Sequence, residues 1–342
     1  MDFKQTFEDK SLEAYINGGA GDETALLENE KIFDDLRLTP RILADVSHCS
    51  TAVFDTALGA GGMPIVIAPT AFHKLVSCEG ECDTARIAAE HNIPYIVSSF
   101  SSCSIDKICD LLPSNYYCQQ LYVFQNQEII DNIISDAEIY NARAIVITVG
   151  TPIAGDRRRE RNAGWQVPSG ISSRFSTSGS NTISELAAAT LSTSATWKSI
   201  QKIKDLTSIP IIVKGVLDPD DAVRAFECGC SAVVISNHGG RQLGHSIHAL
   251  DVLSIIRERI GSSLPLYVDG GIRTGLDVVK VLACGADRVL LGRPVLWKLN
   301  EGGITALSAY MMSVKEEILH VMQLCGCDSI EQLKSLKVVR RL

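Results

Sequence analysis

The stretch Ser236-Asn237-His238-Gly239-Gly240-Arg241-Gln242 puts an imidazole three residues before a guanidinium, on a turn that paired glycines permit. That combination suits a small hydroxy acid. Arginine binds a carboxylate bidentately, and histidine takes a proton near neutral pH. The apolar run Ala232–Ser236 leads directly into it, so His238 and Arg241 are expected to emerge at the carboxyl end of a strand. Lys214 follows Ile211-Ile212-Val213 and precedes Gly215. A lysine there either faces a developing negative charge or forms an imine. Asp269-Gly270-Gly271-Ile272-Arg273 and Leu291-Gly292-Arg293-Pro294 end two further apolar runs, each joining glycine to arginine. Glycine N–H groups beside a helix start hold anions, so the two motifs together point to a phosphate-bearing cofactor.

Eight short runs must position these groups: Ile65–Ala68, Tyr95–Val97, Tyr117–Leu121, Ala144–Val149, Ile211–Lys214, Ala232–Ser236, Leu266–Asp269 and Arg288–Gly292. They are rich in β-branched residues and nearly continuous, as parallel strands buried on both faces are. Helical stretches lie between most of them. Asp83–His91 carries small and apolar residues on one face. Asp218–Cys228 opens with a capping Asp218 and Pro219 at the first helical position. Arg273–Cys284 stops before Gly285. Eight strand-then-helix units predict the α/β class and a (β/α)8 TIM barrel, with phosphate at the ends of the last two strands. An open doubly wound sheet is the alternative. Residues 1–60 are expected to form an N-terminal helical extension, with Ser11–Asn17 as its clearest helix. Residues 151–195 form a long insertion after the fourth strand, opening with Arg157-Arg158-Arg159-Glu160-Arg161. Its length and its place on the active-site face predict a lid.

Composition narrows the classes further. The chain has 342 residues, 46% of them hydrophobic, enough for one barrel over 1–342 without disulfide or metal staples. A net charge of -8, from 40 acids against 32 bases, argues against nucleic acid as the partner. Its apolar runs fall far short of the roughly 20 residues that span a bilayer. Met1–Lys10 is polar and charged, so neither signal peptide nor membrane association is expected. The 11 cysteines include no CxxC pair, which predicts a reducing compartment. His238, His245 and His248 lie close in sequence, but no cysteine or carboxylate cluster joins them at ligand spacing, so no metal is expected.

From about Tyr15 to Trp297 the sequence resembles the FMN-dependent L-2-hydroxy-acid oxidase and dehydrogenase family, which includes glycolate oxidase, lactate oxidase and mandelate dehydrogenase. The resemblance rests on Ile67-Ala68-Pro69-Thr70-Ala71, Gln120-Leu121-Tyr122, Val213-Lys214-Gly215-Val216, Ser236–Gln242, Asp269–Arg273 and Gly292-Arg293. It implies FMN at the carboxyl face of the barrel. It also implies His238 as the base, Arg241 and Tyr15 as the carboxylate clamp, Arg157 as a second arginine, and Tyr122 orienting the hydroxyl. Lys214 is implied beside the flavin N1 and O2, with Ser98, Gln120, Thr148 and Ser236 around the ring system. The Pro69, Thr70 and Ala71 backbone would pass near N5, Asp269 would meet the ribityl chain, and Gly271, Arg273, Gly292 and Arg293 the phosphate.

The sequence departs from that family at several places. Val149-Gly150-Thr151-Pro152 has glycine where the family has an aspartate that orients the base. Asp156 stands where arginine is usual, Leu243-Gly244 where Leu-Asp is, and Phe100 and Ala154 replace bulkier pocket residues. The expected activity is oxidation of an L-2-hydroxy acid to the 2-oxo acid, by hydride transfer or proton abstraction. Oxygen is the expected acceptor, giving peroxide, with another acceptor as the alternative. Because Gly150 removes a carboxylate, the reaction is expected to speed up towards alkaline pH as His238 loses its proton. The rival reading is a flavin-binding protein with little oxidase activity. Val338-Val339-Arg340-Arg341-Leu342 matches a peroxisomal ending only in part, so the cytoplasm is expected, with the peroxisome as the alternative. Relatives imply a homo-oligomer, a tetramer.

Overall fold

Residues 6–173 and 182–341 are described by a computed structural model. Residues 1–5 of the N-terminal extension, 174–181 of the insertion and Leu342 of the C-terminal run lie outside the described residues. Eight parallel strands close into a barrel: β1 (Ile65–Ile67), β2 (Tyr95–Val97), β3 (Tyr117–Tyr122), β4 (Ala144–Thr148), β5 (Ile211–Val216), β6 (Ala232–Ile235), β7 (Leu266–Asp269) and β8 (Arg288–Leu291). Val289 to Leu291 pair with Ile65 to Ile67 and complete the ring. Each predicted run is a strand, within a residue or two at its ends.

The barrel's two faces explain the pattern. Val66, Ile96, Cys118, Val146, Ile212, Val234, Tyr267 and Leu290 meet inside as one apolar cluster. Their neighbours in sequence point outward to the helices. Strand side chains alternate, so the residue two beyond each interior residue also points inward, one layer nearer the carboxyl mouth. Those residues are Ala68, Ser98, Gln120, Thr148, Lys214, Ser236, Asp269 and Gly292. The polar set expected around a cofactor is therefore the layer immediately above the apolar filling. The register staggers it: Thr148 pairs with Lys214, while Gln120 pairs with Val146 and Lys214 with Val234, so Tyr122 stands beside Thr148.

The helices form where their caps predict. Asp218 accepts from Asp220 N–H at 2.7 Å to start Pro219–Glu227. Thr274 and Asp277 cap Gly275–Ala283 reciprocally.

Residues 1–60 depart from the expected helical segment. Helices Lys10–Asn17 and Thr24–Asp35 are present, but Leu36–Leu38 then pairs antiparallel with Val338–Arg340. A hairpin of Val53–Asp55 and Gly59–Gly61 follows and plugs the amino end of the barrel. Asp55 accepts from Tyr267 Oη at 2.7 Å and pairs with the fully buried Arg288. Ala57 and Leu58 of this hairpin join the interior cluster. The insertion after β4 carries helices Arg158–Asn162 and Ile183–Thr190. The first packs on helix Lys10–Asn17.

Candidate active site

At the carboxyl mouth lies a cavity of about 150 Å³. Of the residues singled out in the sequence, it is lined by Tyr15, Pro69, Thr70, Ala71, Ser98, Phe100, Tyr122, Thr148, Arg157, Lys214, His238, Arg241, Asp269, Gly271, Arg273, Gly292 and Arg293. Gln120 and Ser236 stand just behind that lining. Gln120 Nε2 donates to Thr148 Oγ1 at 3.3 Å, and its Oε1 accepts from Ser99 N–H at 2.8 Å. Ser236 Oγ accepts from Lys214 Nζ and from His238 N–H, each at 3.0 Å. Lys214 also pairs with Asp269 Oδ2 at 2.6 Å. Sequence reasoning missed the apolar contributors Ile16, Ile272, Leu290 and Leu296, which carry no chemical signal of their own.

His238 sits on a left-handed turn. Its φ is 58°, followed by 64° at Gly239 and 71° at Gly240. A non-glycine residue held there is strained and needs outside support. Helix Thr24–Asp35 supplies it. Asn29 and Asn237 exchange side-chain amide hydrogen bonds of 3.0 and 2.7 Å, and Asn237 Oδ1 accepts from Gly240 N–H at 3.1 Å. A β-carbon on Gly240 would lie 2.6 Å from the Leu26 nitrogen, so the turn and the helix touch backbone to backbone.

Burial drives the His238 pKa well below the ordinary histidine value, and the cations Lys214, Arg157, Arg241 and Arg293 push in the same direction. The ring is therefore a neutral acceptor through the neutral range. This corrects the expected alkaline activation, because no proton remains to be lost there. Asp156 is engaged elsewhere, with Arg158 at 2.7 Å and Arg161 at 2.9 Å on the exposed side of the insertion. Gly150 faces Gly215 backbone to backbone.

The anion-binding wall is built around Arg241. Its Nη1 donates to the carbonyls of Tyr15 at 2.7 Å and Gly18 at 2.9 Å, and its guanidinium lies 5.2 Å from the Tyr15 ring centre. Tyr15 stacks on Trp165 of the insertion, centroids 3.9 Å apart and planes within 7°. Burial raises the Tyr15 hydroxyl to about 12 and also raises Tyr122, so both remain hydrogen-bond donors. Burial, then Arg157, lowers Arg241 to about 10, still a cation at neutral pH.

The opposite end of the cavity suits a phosphate and its sugar chain. Asp269 Oδ1 and Arg273 Nε are buried with no hydrogen-bond partner. Such orphaned polar atoms are costly unless a ligand meets them. Arg273 lies over Trp297 at 4.7 Å and reaches Glu30 at 3.1 Å. Arg293 donates through Nε, Nη1 and Nη2 to the carbonyls of Ile16, Gly239 and Gly18, so it also ties the His238 turn to the N-terminal segment. At Gly271 a β-carbon would fall 1.7 Å from the Asn29 carbonyl oxygen, which makes that glycine a packing requirement too. At Gly292 a β-carbon would make ordinary contact with Thr70 Cγ2 at 3.6 Å and Ala68 Cβ at 3.8 Å. The donors and orphaned atoms fit FMN. His248 takes a different part: it caps helix Ala249–Ile260 by accepting from Leu250 N–H at 3.0 Å. His245 faces Asp22 at 3.1 Å on the surface.

Known proteins resemble this chain in sequence and fold. The chain is 37% identical to the peroxisomal (S)-2-hydroxy-acid oxidase of Oryza sativa subsp. japonica, covering 93% of this chain and 88% of that one. It is 36% identical to 2-hydroxyacid oxidase 2 of Homo sapiens, over 95% and 92%. A crystal structure of mandelate oxidase with (S)-4-hydroxymandelic acid superposes with a TM-score of 0.91 at 30% identity, over 97% and 95%. The family model for FMN-dependent dehydrogenases matches residues 5–340, and the chain belongs to that family.

Proposed function

We propose that this protein oxidises an L-2-hydroxy acid to the 2-oxo acid with FMN, and that oxygen is the acceptor and hydrogen peroxide the second product. One observation carries the reading: a single cavity joins a neutral His238, two tyrosine hydroxyls and two arginines to a polar floor with orphaned Asp269 and Arg273 atoms. Its relatives are named for this chemistry. A flavin-binding protein without activity would have no need of the clamp and the buried acceptor together.

In this reading Arg241, Arg157 and Tyr15 bind the substrate carboxylate, and Tyr122 donates to its hydroxyl. Phe100 borders the substrate side chain. His238 takes a proton on its ring. Lys214 places positive charge at the pyrimidine edge of the cofactor, beside Ser98, Gln120, Thr148 and Ser236. Pro69, Thr70 and Ala71 lie along its other edge, Asp269 meets the ribityl chain, and Gly271, Arg273, Gly292 and Arg293 surround the phosphate. When bound, FMN accepts the two electrons released from the substrate and passes them to oxygen. Trp165 stacks on Tyr15, and in this reading the insertion 151–195 acts as a lid over the site.

The test is a panel of 2-hydroxy acids added to the yellow holoenzyme. Anaerobic bleaching of the flavin, with one peroxide per turnover under air, is the expected result. A protein that fails to take up FMN, or whose bound flavin no hydroxy acid bleaches, overturns the reading. Bleaching without peroxide assigns another acceptor. We further propose a homo-oligomer, a tetramer by family resemblance, checked by light scattering. For location we propose the cytoplasm, with the peroxisome second; the peroxisomal names of plant relatives favour the second. Imaging of the tagged chain decides.

A further inference from the structure

Within Arg157-Arg158-Arg159-Glu160-Arg161, two residues turn inward. The side chains of Arg157 and Glu160 are 12% and 5% exposed, whereas those of Arg158 and Arg161 are 59% and 66% exposed. Spaced i and i+3, the inward pair shares one face of the turn. Glu160 Oε2 lies 3.6 Å from Arg157 Nη1 and 3.8 Å from Arg241 Nη2. Both separations are too long for a good hydrogen bond. The same oxygen is buried without any hydrogen-bond partner, and so is Arg157 Nε. The carboxylate thus stands between the two arginines without closing on either. Arg241 Nη1 is engaged by the Tyr15 and Gly18 carbonyls, which leaves its Nη2 and the Arg157 guanidinium for a ligand.

We propose that Glu160 sets the charge of the carboxylate clamp, holding it at one net positive charge so that the site selects monoanionic 2-hydroxy acids over dianionic ones. The inference rests on the function proposed above. Two guanidinium groups and one carboxylate leave a single positive charge, which one substrate carboxylate neutralises. The neighbouring cations do not alter that sum. Lys214 is matched by Asp269 at 2.6 Å and Arg273 by Glu30 at 3.1 Å, while His238 is neutral. Arg293 directs its donors to the carbonyls of Ile16, Gly239 and Gly18, at the end assigned above to the cofactor phosphate. A second carboxylate on a ligand would enter a buried site with no cation left to meet it, beside Glu160. Burying an unpaired charge is strongly disfavoured, and an uncompensated like charge discriminates against the wrong partner.

Oxamate and oxalate make the test direct, because they share a shape and differ by one charge. Each is titrated into the FMN holoenzyme, and the change in flavin absorbance gives a Kd. In Glu160→Gln, which keeps size and removes charge, the preference should move towards oxalate by about tenfold or more relative to the parent. Glu160→Asp should keep the parental ratio. Arg157→Gln, which removes a positive charge, should move the preference the other way, and it carries the test if Glu160→Gln does not fold. A ratio of two affinities in one protein cancels any general loss of folded holoenzyme. A ratio within twofold of the parent in Glu160→Gln, or a shift of the same sign in both variants, overturns the proposal. If neither anion perturbs the parent flavin, the hydroxy-acid reading itself fails and the role of Glu160 falls with it. Perturbation by both with an unmoved ratio removes Glu160 alone.

Discussion

Gly150 and Gly215 meet back to back at the ends of β4 and β5. A β-carbon on Gly150 would lie 3.2 Å from the Gly215 carbonyl oxygen and 3.3 Å from its Cα. Gly215 itself has a φ of 107°, and a β-carbon there would fall 2.6 Å from the Gly150 nitrogen. The position is tight but not closed, since a shift of a few tenths of an ångström admits a side chain at 150. Gly150→Ala and Gly150→Asp share the cost of the added β-carbon. Only aspartate adds a carboxylate, and an opposite charge within about 4–6 Å moves a pKa by roughly 1–3 units. Anaerobic flavin reduction in Gly150→Asp should exceed that in Gly150→Ala by about tenfold. Equal rates in the two variants would show that a carboxylate at 150 does not act on His238.

The half-buried, cation-ringed His238 sets the pH dependence. Its folded pKa is lowered, so the proton-accepting form is lost only as pH falls through that lowered value. Flavin reduction should be flat from about pH 6.5 upwards, where an unperturbed histidine has its pKa, and should decline only in acid. Stopped-flow reduction across pH checks this. A rate that climbs steadily between neutral and alkaline pH would mean that His238 is protonated in the holoenzyme or is not the base.

The same physics governs stability. His73 and His248 are buried and His238 is half-buried, and all three have lowered values with desolvation as the first cause in each. The unfolded chain binds protons near pH 6.5 that the folded chain refuses, so folding stability is fully present above that pH and falls as pH drops below it. Urea midpoints should therefore decrease on acidification from about pH 7 to 5.5. An unchanged midpoint over that window contradicts the buried neutral rings.

Asn29 acts at a distance from the cavity. Removing its amide leaves Asn237 without its reciprocal partner in a buried place, a loss of about 1–3 kcal/mol. Asn29→Ala should lower stability by that amount and also slow flavin reduction, because Asn237 holds the turn that carries His238. Thermal unfolding and anaerobic reduction on the same sample separate the two effects. Lost stability with an unchanged rate would show that the turn keeps its shape unaided.

A free carboxylate should be obligatory in the substrate. Leaving Arg157 and Arg241 buried without an anion forfeits on the order of 2–5 kcal/mol of binding. The methyl ester or amide of a good substrate should then raise KM by at least about tenfold, measured by steady-state peroxide release. Similar KM values for acid and ester would remove the clamp from the mechanism.

Much of this was legible in residue order because barrel strands are local and apolar. Ile65-Val66-Ile67 and Ile211-Ile212-Val213 announce themselves without knowledge of their neighbours. The polar layer was legible through the family resemblance, which singled out Ser98, Gln120, Thr148 and Ser236. The structure adds that each stands two residues beyond an interior apolar one, as Ser98 does beyond Ile96. Partners distant in sequence were hidden. Leu36–Leu38 is a strand only because Val338–Arg340 lies beside it, and neither segment signals the other. Glu160 was hidden differently: a run of five charged residues reads as a solvated face, and only the turn of the short helix shows which two point inward. The state of His238 required the cations gathered from four separate elements.

That terminal pairing has a consequence for how the protein is made. Helix Thr24–Asp35, which steadies the His238 turn, leads directly into Leu36–Leu38, and that strand waits for a partner synthesised close to the other end of the described chain. Contacts so far apart in sequence form late and slowly. A nascent chain on the ribosome can therefore build most of the barrel wall while its catalytic mouth is still unsupported. A chain cut short before Val338 leaves Leu36–Leu38 without its partner strand, just past the helix on which the His238 turn rests.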